Sequence, residues 1–261
     1  MGKLSGQIPR EISQLIQLSL LDLSRNKLEL QSPSLGNLMQ NLTPLEELDL
    51  SGVDISSSNE FPTTILQLPK LKVLDLGKNM DLTGRVPSEV ANMTQLVRLT
   101  IGFNELTGTI PSLVSLSKLA LLEFSNNKFE NWSLPNWIGK LTELQELYGS
   151  RGNIFGEIPS FLSNLTKLRI FDMSHNSLSG HIPSSSFSSC TNHDLQVLEK
   201  WGKSNDQEAV FEKTLWFSFR YIFSPILVFV VYLEDHLPKH LRIEEVRAEV
   251  KNFTPADPPG K

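Results

Sequence analysis

Leu165–Pro183 reads LTKLRIFDMSHNSLSGHIP. Leu165, Leu168, Phe171, Met173 and Asn176 follow the frame LxxLxxLxLxxN, and Leu178-Ser-Gly-His-Ile-Pro183 closes it as LxGxIP. The same frame recurs upstream, as LDLSRN at Leu21–Asn26, LDLGKN at Leu74–Asn79, LTIGFN at Leu99–Asn104 and LEFSNN at Leu122–Asn127. Two degenerate copies, LDLSGV at Leu48–Val53 and LYGSRG at Leu147–Gly152, fill the gaps, so the steps are 27, 26, 25, 23, 25 and 24 residues. A period of this size means stacked units, each too small to bury its own apolar face.

Leucines two apart, such as Leu21 and Leu23, alternate as in a strand and point to one side. Neighbouring turns then stack into a continuous leucine core. The asparagine sits where the chain leaves the strand, and its amide can donate and accept, which suits backbone groups left unpaired there. Its expected job is scaffold. LxGxIP also occurs at Leu82–Pro87, at Leu106–Pro111 and, at the start of the chain, at Leu4–Pro9. Glycine tolerates positive φ and proline fixes φ without a donor, so this is turn chemistry returning the chain along the far side.

The composite LxxLxxLxLxxNxLxGxIP resembles the plant-type leucine-rich repeat of receptor-like proteins and receptor kinases. Leu28–Ser58 looks most like the receptor-like proteins, the subset without a kinase. The resemblance implies a right-handed α/β-type solenoid with short parallel strands on a concave face, over residues 1–183 in about seven repeats. It also implies a non-enzymatic recognition module that binds a peptide, protein or microbial ligand in defence or development, at the plasma membrane or cell surface, with a partner co-receptor kinase. The alternatives are a secreted enzyme inhibitor of the polygalacturonase-inhibitor type, or a non-functional gene product.

Charge and cysteine narrow the classes. Residues 1–183 carry 15 Lys+Arg against 18 Asp+Glu, and the remainder 9 against 11, so neither part has the basic footprint of a nucleic-acid binder. The single cysteine, Cys190, excludes an intrachain disulfide. Relatives normally open with a signal peptide and a disulfide-bonded cap; here Met1 leads almost directly into LxGxIP, which predicts a truncated product whose first turn lacks a cap. Sequons stand at Asn41, Asn92, Asn131, Asn164 and Asn252. The first four are the glycosylation candidates, and those at Asn41, Asn92 and Asn164 recur just before the LxxL of a repeat.

Beyond Pro183 the repeat stops. Residues 184–213 read as a Ser-rich, then polar linker, with a helix expected over Asp194–Lys213. Residues 214–233 form an apolar segment in which Leu, Ile, Phe and Val fill twelve of the nineteen positions Leu215–Leu233. Arg220 and Pro225 oppose insertion, so Leu215–Leu233 reads equally as a transmembrane helix or as a buried end of the solenoid. In residues 234–261, Ile243, Val246, Val250 and Phe253 are spaced for an amphipathic helix before a Pro-rich end.

No phosphate-cradling loop, kinase signature or G-x-S-x-G appears. His236 and His240 have metal-like spacing but Pro238 between them and no third ligand near. Neither catalysis nor a metal or other cofactor is expected. Binding would fall on strand positions facing away from the core: a row of Thr100, Glu123, Tyr148 and Asp172, beside it Phe103, Asn126, Arg151 and His175, and Arg98 and Glu146 on the other flank. Tyr148 and Arg151 stand in the most degenerate repeat, where Gly149 replaces an inward leucine and Gly152 the asparagine. That repeat is expected to be locally weak.

Overall fold

The computed structural model describes residues 4–29, 35–55 and 60–180 and the backbone of 196–198. Seven three-residue strands repeat along the chain: Leu20–Asp22, Glu47–Asp49, Val73–Asp75, Arg98–Thr100, Leu121–Glu123, Glu146–Tyr148 and Ile170–Asp172. They number the turns one to seven, and each pairs in parallel with the next in unbroken sequence order. Register aligns the central residues Leu21, Leu48, Leu74, Leu99, Leu122, Leu147 and Phe171. All seven are buried, and from Leu48 onward they are fully so. The seven strands expected from the LxL pairs are thus the seven observed, each burying its central residue.

An eighth strand follows where a polar linker and a helix are expected. Gln196–Leu198 is extended and pairs in parallel with Ile170–Asp172. The open edge of the seventh strand offers a row of backbone groups, and an extended segment satisfies them as a short helix could not. The readings of residues 184–195 and 199–261, including Leu215–Leu233 and the amphipathic helix, lie outside the described residues.

The return path is short 3-10 helix in most turns: Arg10–Gln14, Thr63–Gln67, Ser88–Asn92, Ile138–Lys140 and Ser160–Asn164. Leu35–Met39 makes one turn of α-helix. The proline of LxGxIP, or of its variant Ile154-Phe-Gly-Glu-Ile-Pro159, stands directly before three of these. Pro9, Pro87 and Pro159 accept the N–H of Ile12, Val90 and Leu162 at 3.2–3.3 Å, and so open the helical turn without an orphaned donor of their own. The motif glycine holds positive φ, as at Gly84 (81°) and Gly108 (71°), which a Cβ would oppose. Around it a second strip forms, with Ser5–Gln7 paired to Lys27–Glu29, Phe155–Glu157 paired to Ser177–Ser179, and isolated bridges between.

The asparagines form a ladder along the solenoid. Asn26, Asn79, Asn104, Asn127 and Asn176 each donate Nδ2–H to the carbonyl three residues back, at 2.9–3.3 Å. The last four also donate to a carbonyl of the preceding turn, at 2.8–3.1 Å. The scaffold role expected of them is the one they have.

Candidate ligand-binding face

The residues flanking each central leucine cannot enter the core, since strand neighbours point to opposite faces. One column follows the leucine: Asp22, Asp49, Asp75, Thr100, Glu123, Tyr148 and Asp172, neighbours by register. A second column precedes it and contains Arg98 and Glu146, with Leu121 between them. The ten residues singled out from the sequence are all exposed or half-buried on this face and its edge. Thr100, Glu123, Tyr148 and Asp172 form one continuous row.

Three positions after that row the backbone takes the left-handed conformation in every turn. Arg25, Lys78, Phe103, Asn126, Arg151 and His175 have φ of 50–60°, and Gly52 has 67°. The sequence places Phe103, Asn126, Arg151 and His175 in one row, and this shared conformation is the reason they align. A phenylalanine with φ 59° and 41% exposure is unusual on both counts, because bulky residues resist positive φ and apolar ones resist water.

The acidic column has a structural duty that sequence reasoning missed. The carboxylates of Asp22, Asp49, Asp75 and Asp172 each accept the backbone N–H two residues on, at Ser24, Ser51, Gly77 and Ser174, 2.8–3.0 Å away. This holds the chain as it bends into the left-handed residue. The fourth turn has Thr100 there and no carboxylate. Glu123, one methylene longer than aspartate, serves both places: Oε1 accepts Ser125 N–H at 3.1 Å and Oε2 accepts Gly102 N–H at 2.9 Å. A Cβ on Gly102 would collide with that carboxylate. In the sixth turn, with Tyr148 in the column, Ser150 N–H donates instead to Ser125 Oγ at 3.1 Å. Glu123 and Asp172 are therefore scaffold as well as surface. The signal was the repeated Asp of LDL, read only as solvent-facing.

The sixth turn gives up an inward leucine without leaving a gap in the core. Gly149 leaves no hole, because Phe124 and Met173 from the adjacent turns fill it; a Cβ there would lie 2.5 Å from Phe124 Cζ and 2.7 Å from Met173 Sδ. Phe124, Phe129 and Trp132 pack with ring centroids 5.7–6.5 Å apart. Trp132 Nε1–H donates to Gly152 O at 2.9 Å, and Gly152 N–H donates to Asn176 Oδ1 at 3.0 Å, so the backbone of Gly152 is held from both sides.

Electrostatics on this face are set by burial and by crowding of carboxylates. Burial raises the Glu123 carboxyl above its ordinary value against the pull of its hydrogen bonds, and does the same for Asp75, where the Asp49 charge adds to it. Asp22, well hydrogen-bonded to Ser24, is lowered. The Tyr148 hydroxyl is pushed up to about 12, first by burial, then by its 3.0 Å hydrogen bond to Glu146 and the charges of Glu146, Asp172 and Glu123. Among the described residues the ion pairs lie elsewhere, as in Lys72–Glu46 at 2.6 Å and Lys167–Glu143 at 2.7 Å. None of them involves Arg98, Glu123, Glu146, Arg151, Asp172 or His175. No group of three His, Cys, Asp or Glu among the described residues could hold a metal ion.

A family model described as Leucine Rich Repeat matches residues 167–190. Receptor-like protein 18 of Arabidopsis thaliana is 34% identical over 211 residues, covering 79% of this chain and 23% of that relative. Receptor-like protein 32 of the same plant is 33% identical, over 93% of this chain and 29% of its own length. The chain belongs to the plant leucine-rich-repeat receptor-like proteins. It spans about a quarter of the length of the curated relatives it matches. Among solved receptor-like structures, the crystal structure of a TDR receptor matches with a TM-score of 0.64 and 31% identity, over 76% of this chain and 37% of that one. The Arabidopsis receptor kinase HAESA, solved with the peptide hormone IDA and the co-receptor SERK1, matches with a TM-score of 0.61 and 29% identity, over 75% of this chain and 31% of that one.

Proposed function

We propose that this chain is a non-enzymatic recognition module of a plant receptor-like protein, which binds a peptide or protein ligand on the sheet face of turns four to seven and signals through a partner kinase at the cell surface. The observation that carries the reading is the row Thr100–Glu123–Tyr148–Asp172, in register beside the left-handed row Phe103–Asn126–Arg151–His175. Aromatic and Arg side chains dominate binding hot spots, and here Phe103, Tyr148, Arg98 and Arg151 stand on a strand ladder whose carboxylates enter none of the ion pairs found among the described residues. HAESA, of the same repeat type, is a receptor kinase solved with a peptide hormone, which supports a peptide-class ligand. Among the described residues no helix is long and apolar enough to cross a membrane, and Leu215–Leu233 lies outside them.

Selection of a displayed random-peptide library on the chain tests this reading. Selected peptides should lose roughly 1–2 kcal/mol of affinity to Tyr148→Ala and to Arg151→Ala, the scale of hot-spot truncation. Lys140→Ala and Lys167→Ala, on the far side and the flank, should change little. Equal behaviour of the two groups, at unchanged stability, removes the patch from the function.

A further inference from the structure

Asp172 and His175 lie three residues apart and form no ion pair. The Asp172 carboxylate is held by the Ser174 N–H at 3.0 Å, and the chain then bends at His175, which has φ 56°. The same bend separates the two rows of the candidate face in the sixth turn, where Arg151 has φ 50°. On the inner side Tyr148 stands between Glu146 of its own strand and Asp172 of the next. The partners of these two carboxylates are neutral donors, the Tyr148 hydroxyl at 3.0 Å and the Ser174 N–H. Such bonds fix a carboxylate in place and leave its charge standing. Among the described residues Glu146, Asp172, Arg151 and His175 enter no ion pair. Acids and basic groups thus run side by side without neutralising each other.

Each row has its own chemistry. Inside, the half-buried Tyr148 ring between two carboxylates suits a cation, which an aromatic face and an acid attract together. At the edge, Arg151 N–H donates to Ser174 O at 3.0 Å, which sets the exposed Arg151 and His175 in adjacent turns. Neighbouring turns lie about 5 Å apart, so both side chains can donate to one carboxylate. An extended segment laid along the solenoid between the rows points successive side chains to opposite sides, one toward each row. Unpaired acids on one side and unpaired basic groups on the other then select neighbouring residues of opposite charge. Resting on the peptide reading of this face, we infer that the bound segment carries a basic residue next to an acidic one, the basic side chain seated on Tyr148 between Glu146 and Asp172 and the acidic one on Arg151 and His175.

The test selects three displayed peptide libraries on the full chain: one fully random, one without Lys and Arg, and one without Asp and Glu. Counter-selection on Tyr148→Ala keeps only peptides that use this face. The random library should yield peptides with a Lys or Arg beside an Asp or Glu, and the other two should yield binders at least about tenfold weaker. In a synthetic selected peptide, norleucine for its Lys and asparagine for its Asp should each weaken binding at least about tenfold. The loss from norleucine should vanish against Glu146→Gln combined with Asp172→Asn, in which amide oxygens still accept from Tyr148 and Ser174. Arg151→Glu should select a basic residue where the wild type selects the acidic one. Tyr148-dependent peptides that lack the charged pair, or that lose nothing to norleucine and asparagine on the wild-type chain, overturn this inference and leave the peptide reading standing. The absence of any Tyr148-dependent peptide overturns both.

Discussion

Phe124 occupies the space that a side chain at Gly149 would need: a Cβ on Gly149 would lie 2.5 Å from its Cζ. The two positions are the same place in consecutive turns, held by leucine or isoleucine at Leu50, Leu76 and Ile101. A large residue in one turn is matched by none in the next, which conserves volume. Gly149→Ala should therefore cost about 1–3 kcal/mol by overpacking. Phe124→Leu opens a cavity on its own, yet combined with Gly149→Ala it should recover part of the loss. Denaturant melts of the four proteins check this; strictly additive effects would mean that the two sites do not share space.

That pairing spans two turns and cannot be read within either one. The LxL pairs, the asparagines and LxGxIP are local patterns, so the strands, the ladder and the proline-opened return were legible in the sequence. The partner that justifies Gly149 lies one whole turn earlier, and a sequence read within its own turn records only a missing leucine. The dual role of Glu123 was hidden likewise, because Gly102, the group it serves, belongs to the preceding turn. Gln196–Leu198 lacks the asparagine and the LxGxIP that mark the other turns, and only its pairing with Ile170–Asp172 identifies it as a strand. The candidate face was legible by alternation alone, and its left-handed edge was not.

Leu99 is fully buried between Leu74 and Leu122 in register. Leu99→Asp puts an unpaired carboxylate among leucines, a change expected to cost more than about 4 kcal/mol. Because each turn depends on its neighbours, the loss should propagate beyond the fourth turn. Circular dichroism and the melting temperature of the variant measure it, and native values for both would disprove the core assignment.

Asn41, Asn92, Asn131 and Asn164 are exposed, as are the Ser or Thr residues that complete their sequons. Asn92 and Asn164 close the 3-10 turns Ser88–Asn92 and Ser160–Asn164 on the return path, away from the sheet face. When the chain is directed into the secretory pathway by an added signal peptide, these two asparagines should carry glycan without obstructing the sheet face. Glycosidase treatment should then increase gel mobility, by less in Asn92→Gln and Asn164→Gln. Mobility unchanged by the enzyme would remove both sites.

Glu123 ties the fourth turn to the fifth through two backbone donors, so Glu123→Gln should lose stability at neutral pH, by about 1–3 kcal/mol, because one amide arm then faces an N–H. Its pH dependence has a definite sign. Burial holds the Glu123 carboxyl above its ordinary 4.5, so the fold binds that proton more tightly than the unfolded chain does. Its contribution is fully present below 4.5 and is lost as pH rises through the raised folded value. Asp75 acts in the same direction, whereas the lowered Asp22 contributes above 3.8 and fades as pH falls through its folded value. Glu123→Gln removes only the first of these. On acidification from neutral to below 4.5, the melting-temperature advantage of the wild type over this variant should widen. A gap that stays constant or narrows would mean that Glu123 titrates in the fold at or below its ordinary value, and that its hydrogen bonds outweigh its burial.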